Sequence, residues 1–174
     1  MTKDKLDEAV REILSGRDCI GLPAQLVEEG APEEAARSLY AQVQDMTVIE
    51  KIKLALKGNR EARTLLLRDG DRMVPRFVLQ NPRITEDEIA ALVKNRGADG
   101  ELLRLAAQNR DWVKHYPVKL GLVENPRTPL TIAMRLLPLL QERDIRALSK
   151  NKGVQTTIAA QAKRLVMRRE GSRT

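Results

Sequence analysis

This 174-residue sequence is poor in the groups that covalent chemistry needs. It has one cysteine, Cys19, so no disulfide can close within the chain and no thiolate cage can hold a metal. Its one histidine, His115, removes most zinc sites and Ser-His-Asp arrangements. Aromatics are limited to Tyr40, Phe77, Trp112 and Tyr116, which leaves Leu, Ala, Ile and Val to build the core. Such a palette suits helix bundles and helical stacks, not a β-sandwich. No GxGxxG, P-loop or HExxH pattern occurs. No apolar run approaches the 18 residues of a membrane span; the stretch 130–140 is short and contains Arg135. The opening MTKDKLDEAVREIL carries acids among its apolar residues, unlike a signal peptide. These absences predict a cytoplasmic protein with no membrane insertion, no cofactor, no metal and no small-molecule substrate, and not an enzyme.

What is present is a foldable chain with an uneven charge. Hydrophobic residues make up 42% and charged residues 32%, too apolar for a disordered chain. The formal net charge is +7. Residues 1–50 hold five Lys/Arg against eleven Asp/Glu, whereas 51–174 hold twenty-six against thirteen. The expected organisation is an acidic helical cap over 1–50, a basic helical array over 51–167 and a flexible basic tail over 168–174. A basic surface of this strength suits an acidic partner, either protein or nucleic acid, although many such charges only solvate a helix exterior.

Helical punctuation is clear. Leu6, Val10, Ile13 and Leu14 mark one face of a helix over 4–14, stopped by Gly16. Pro23 and Pro32 each open a further helix, the second with Glu33 and Glu34 in its first turn. Thr47 with Glu50, and Thr85 with Glu88, read as capping boxes. Gly58 reads as a helix stop, with Asn59 capping the next helix. The acidic run Glu86-Asp87-Glu88 is explained by the positive end of a helix.

Landmarks then recur at 42–44 residues, the size of a helical-repeat unit. Asn81-Pro82-Arg83-Ile84-Thr85 is echoed by Asn125-Pro126-Arg127-Thr128-Pro129. Arg68-Asp69 and Pro75 are echoed by Arg110-Asp111 and Pro117, and Asn109-Arg110 by Asn151-Lys152. The residue before proline is steered out of the α region, so each Asn-Pro stops a helix. Thr85 or Thr128 is then expected to cap the next one. Pro75 and Pro117 belong near helix starts or at junctions between two short helices, since in mid-helix each would cost about 3 kcal/mol.

On KIKLALKGNREARTLLLRD, VLQNPRITEDEIAAL, AAQNRDW, LVENPRTPLTIAMRLL and IRALSKNKGV, residues of about 52–165 resemble a helical-repeat domain of uncharacterised bacterial proteins. The segment is also similar to HEAT-like and leucine-rich-repeat-variant solenoids. The resemblance implies an all-α, right-handed α-solenoid of about eight to ten short helices. One variant-repeat type adds an iron–sulfur cluster held by cysteines, which a single cysteine cannot reproduce.

The candidate binding surface is Arg68, Arg72, Arg83, Arg110, Trp112, Lys114, His115, Arg127, Lys150 and Lys152. Arg68, Arg110 and Lys152 are expected at equivalent places in successive units, as are Arg83 and Arg127; a solenoid would bring them into rows. They could instead bind helix carbonyls or carboxylates such as Asp69 and Asp111. If helical, Trp112 and Tyr116 share a face, either as core or as a stacking platform beside Lys114 and His115. The expected function is a non-enzymatic scaffold binding an acidic protein. The alternative is duplex DNA along a basic concave face, as HEAT-like DNA glycosylases show for that fold. Residues 1–50 would in either case be able to mask the basic face.

Overall fold

The computed structural model describes residues 3–27 and 36–171. These are all-helical, with twelve α-helices and no strand among the described residues. The chain divides into two compact units, Met1–Ile84 and Thr85–Thr174. The division therefore falls well after the change of charge near Lys51.

The first unit contains α1 (Lys3–Ser15), a 3₁₀ turn (Ala24–Leu26), α2 (Ala36–Asp45), α3 (Val48–Lys57), α4 (Arg60–Leu66) and α5 (Val74–Val78). Leu6 and Ile13 bury on one face of α1, as the heptad-like spacing requires, while Leu14 points outward. Gly16 ends the helix with φ +72°, a conformation that costs other residues a Cβ clash. Where a helix is expected from Pro23, the described residues form a 3₁₀ turn with Pro23 at its N-cap. Pro32, Glu33 and Glu34 lie outside the described residues. The Thr47 capping box is formed, with the Thr47 N–H donating to Glu50 Oε2 at 2.7 Å. Glu50's carboxyl is held below the usual range by the Thr47 hydroxyl and then by that N–H. α1 and α2 bury Leu6, Ile13 and Val43 in one core with Ile52, Leu54, Leu66, Val74 and Phe77. Described residues of 1–50 thus share a core with those of 51–84.

This core also contains charge. Lys53, 8% exposed, donates to Asp18 and to the Ile20 carbonyl. The Lys53 ammonium holds the Asp18 carboxyl below its ordinary range, with help from the Ile20 N–H and against burial. Arg63, 1% exposed, donates to the Gly58 carbonyl at 3.0 Å, and Lys51 pairs with Asp69 at 3.0 Å.

The second unit contains α6 (Glu86–Lys94), α7 (Gly100–Gln108), α8 (Arg110–Lys114), α9 (Tyr116–Glu124) and α10 (Leu130–Leu136). A 3₁₀ turn (Leu137–Leu139), α11 (Glu142–Lys150) and α12 (Thr156–Gly171) complete it. The total of twelve exceeds the expected eight to ten. At His115 an extended backbone (φ −71°, ψ 121°) separates the short helices α8 and α9. Pro117 in the first turn of α9 enforces the break. α12 continues past Met167 to Gly171, so much of the expected tail is helical.

One turn recurs four times, at Asn81, Asn95, Asn125 and Asn151. Asn95, Asn125 and Asn151 each cap the C-terminus of a helix, and Asn81 follows α5 by three residues; each Oδ1 accepts the N–H two residues on, from Arg83, Gly97, Arg127 and Gly153 at 2.7–2.9 Å. This Asx turn gives the chain a hydrogen bond that the ended helix no longer supplies. The third residue on is turned inward: Ile84 is half-buried, and Ala98, Thr128 and Val154 are buried. This placement corrects one expectation. Thr128 does not cap α10, which starts after Pro129 without a side-chain cap. Thr128 faces the interior at 1% exposure, and its Oγ1 finds no partner.

In the second unit the turns are stitched together. Asn125 Nδ2 donates to the Val93 and Asn95 carbonyls at 2.7 and 2.9 Å. Gln155 Nε2 donates to the Pro126 and Thr128 carbonyls at 2.9 and 2.7 Å. α6 packs on α9, α9 on α10 and α11 on α12 around Ile89, Leu103, Leu122, Leu137, Ile145 and Ile158. Gly121 permits the α6–α9 contact, because a Cβ there would stand 2.6 Å from Val93 Cγ2.

Candidate interaction surface

The distinctive surface of the second unit is an open groove of about 540 Å³ at the α8 end of its helices. Ala107 and Gln108 from the end of α7, Val113 from α8, Leu136 at the end of α10 and Leu139 in the 3₁₀ turn after it form part of its lining. Arg110 and Lys114 of α8, Lys119 of α9 and Arg135 of α10 supply four cations. No carboxylate lines it. Leu139 is 59% exposed and adds apolar area to the groove.

Local chemistry explains why α8 stands where it does. Asn109 ends α7 and starts α8 at once, its Oδ1 accepting the N–H groups of Asp111 at 3.0 Å and Trp112 at 3.4 Å. After the break at His115, Tyr116 anchors the chain. Its hydroxyl donates to Asp144 and accepts the Gln141 N–H at 3.0 Å, tying the start of α9 to the start of α11. Burial, then the Asp144 bond, pushes the Tyr116 phenol above its ordinary value. His115 meets Glu86 at 2.5 Å. Lys114 pairs with Asp111 at 2.6 Å and holds that carboxyl below its usual range, but both side chains are mostly exposed. Such a pair contributes little to stability and is readily exchanged for a ligand. Arg110, Lys119 and Arg135 have no ion-pair partner among the described residues.

The ten sequence candidates do not form one surface. Arg110 and Lys114 line the groove, and Trp112 shares their helix. Trp112 is half-buried, and the break at His115 places it and Tyr116 on different helices. His115 and Tyr116 are engaged in structural contacts. Arg127, Lys150 and Lys152 lie at the Asn-turn end of the same helices. Arg68, Arg72 and Arg83 belong to the first unit, where the Arg83 guanidinium donates to the Val27 carbonyl at 3.2 Å.

The expected equivalence of Arg68, Arg110 and Lys152 does not hold locally. Arg68 follows the end of α4, Arg110 is the first residue of α8, and Lys152 sits inside an Asx turn. That of Arg83 and Arg127 does hold, each donating its N–H to a turn asparagine. Sequence reasoning missed Lys119 and Arg135 in the groove and Lys94 and Arg96 at the turns. Nothing linear marks Lys119 or Arg135, since only the packing of α9 on α10 brings them to one surface. Searches against family models, curated proteins and solved structures returned no match for the chain.

Proposed function

We propose that the chain is a non-catalytic helical-repeat scaffold whose second unit binds an acidic protein segment in the α8 groove. In this reading the second unit is a short right-handed, HEAT-like stack, with α6, α9 and α11 in one layer and α7, α10 and α12 in the other. The supporting observation is the groove itself: apolar residues, four cations and no carboxylate. Apolar area rewards burial of hydrophobic side chains, and a cationic rim selects acids around them. A peptide with Leu or Phe anchors spaced along one helix face and Asp or Glu between them meets both demands.

The test uses the full chain and a fluorescein-labelled amphipathic acidic peptide of that pattern. Trp112, the single tryptophan and part of α8, gives an independent readout. Binding should shift Trp112 emission and raise peptide anisotropy. Leu139→Asp with Arg135→Glu should weaken binding by about tenfold or more. Unchanged affinity in that double variant removes the groove as the site.

A further inference from the structure

The second unit has another basic surface, at the end of its helices remote from the groove. α6, α9 and α11 run into it and α7, α10 and α12 leave it, so it consists of the three stitched Asn turns. Residues 94–99, 124–129 and 150–155 form this edge. They present Lys94, Arg96, Arg127, Lys150 and Lys152, all exposed and none ion-paired among the described residues. The Arg96 guanidinium crosses to the third turn, where a Cβ on Gly153 would lie 2.6 Å from its Nη2. Two carboxylates share these stretches. Asp99 accepts the Glu101 N–H at 3.1 Å as the cap of α7, and Glu124 is half-buried.

Two absences decide what such an edge fits. It holds no aromatic residue, so unpaired bases have nothing to stack on. It exposes no Leu, Ile, Val or Met, because Ala98, Thr128 and Val154 are turned inward. A protein partner would need an apolar centre to its interface, which the edge does not offer. What it offers is a ridge of cations on polar backbone. Packed helices stand about 8–10 Å apart, so three turns span about 20 Å. One strand of a duplex places about six phosphates along that length.

We propose that this edge binds the sugar-phosphate backbone of duplex nucleic acid without regard to base sequence. It acts independently of the groove. The five cations neutralise successive phosphates and release their counterions, so affinity falls steeply with salt.

The experiment titrates the full chain against a fluorescein-labelled 25-base-pair duplex of mixed sequence, with anisotropy read between 50 and 200 mM salt. Five phosphate contacts predict an affinity loss of about 500-fold over that range. The variant Arg96→Ala, Arg127→Ala, Lys152→Ala should bind weakly at 50 mM and lose only about tenfold more by 200 mM. The groove variant Arg110→Ala, Lys119→Ala, Arg135→Ala should keep the salt slope of the parent. Circular dichroism confirms folding, and Lys94→Gln, Lys150→Gln, Lys152→Gln provides a second edge variant without the Arg96 contact. No binding at 50 mM salt overturns the proposal. So does loss of the salt slope in the groove variant alone, tighter binding of the single strand, or displacement of the duplex by poly-glutamate at equal charge. The last result would assign the edge to an acidic protein.

Discussion

The two units use charge in opposite ways. The first holds fourteen basic and fourteen acidic residues, a net of zero; the second holds seventeen and ten. The whole formal excess of +7 therefore belongs to the second unit. In the first, ions are fasteners: Lys53 grips Asp18 and a carbonyl, Lys51 grips Asp69, and Arg63 is buried against Gly58. In the second, neutral asparagine and glutamine amides tie the interior, and among the described residues most cations at the two ends of the helices, Lys114 with its exposed Asp111 partner excepted, have no ion pair. The difference teaches that bulk charge says little about a binding surface until the inward and outward charges are separated.

Substitutions can sharpen or break this contrast, with hydrogen exchange read peptide by peptide to follow each unit. The largest effect is expected from Asn125→Ala, which removes a donor from two carbonyls and the acceptor of the Arg127 N–H. The second unit should lose about 3 kcal/mol in urea denaturation. A loss no greater than that of Asn151→Ala, whose side chain makes no bond beyond its own turn among the described residues, would break the claim that amides hold this unit. Next comes Gly121→Val, whose Cβ would collide with the stiff Val93 side chain; about 2 kcal/mol should be lost, again confined to the second unit. Thr128→Val should instead gain about 1 kcal/mol, because it removes a buried hydroxyl without a partner. A destabilised Thr128→Val would show that the hydroxyl is satisfied in solution.

The smallest effect is in pH dependence. The lowered Asp18 carboxyl contributes stability above its unfolded value of about 4, and loses it as pH falls through the lower folded value. Acid should therefore loosen the amides of 17–20 and 48–57 in the parent, and Asp18→Asn should flatten that dependence. Asp111→Asn should leave the acid response of the second unit unchanged, since its pair with Lys114 is exposed.

Local signals were well legible in the sequence, and packing was not. Both capping boxes, the Asn81 and Asn125 stops and the prolines in the first turns of α5 and α9 all follow from short-range chemistry. The Asn95 turn escaped notice because Arg96 stands where Asn81 and Asn125 are followed by proline, although its Asx bond is the same. Thr128 misled because threonine before a helix usually caps; burial, which no local pattern reports, decided otherwise. For the site, α8 was visible as a cluster of unusual residues. The leucines and the cations Lys119 and Arg135 that complete the groove come from elements joined only by tertiary contact.

The stitching amides have a direction. In five long-range pairs the side-chain donor lies later in the chain than the carbonyl that accepts its bond. Asn59 reaches Gln25, Asn81 reaches Ala55, Asn125 reaches Val93, Gln155 reaches Pro126 and Arg169 reaches Pro138. A ribosome releases the chain from its N-terminus at about 5–20 residues per second. Each new turn thus emerges to find its acceptors already made, and none waits for a partner still to be synthesised. The same polarity makes truncation asymmetric. Shortening from the C-terminus removes donors and leaves exposed carbonyls that water can satisfy. Shortening from the N-terminus strips acceptors from amides already committed to the interior.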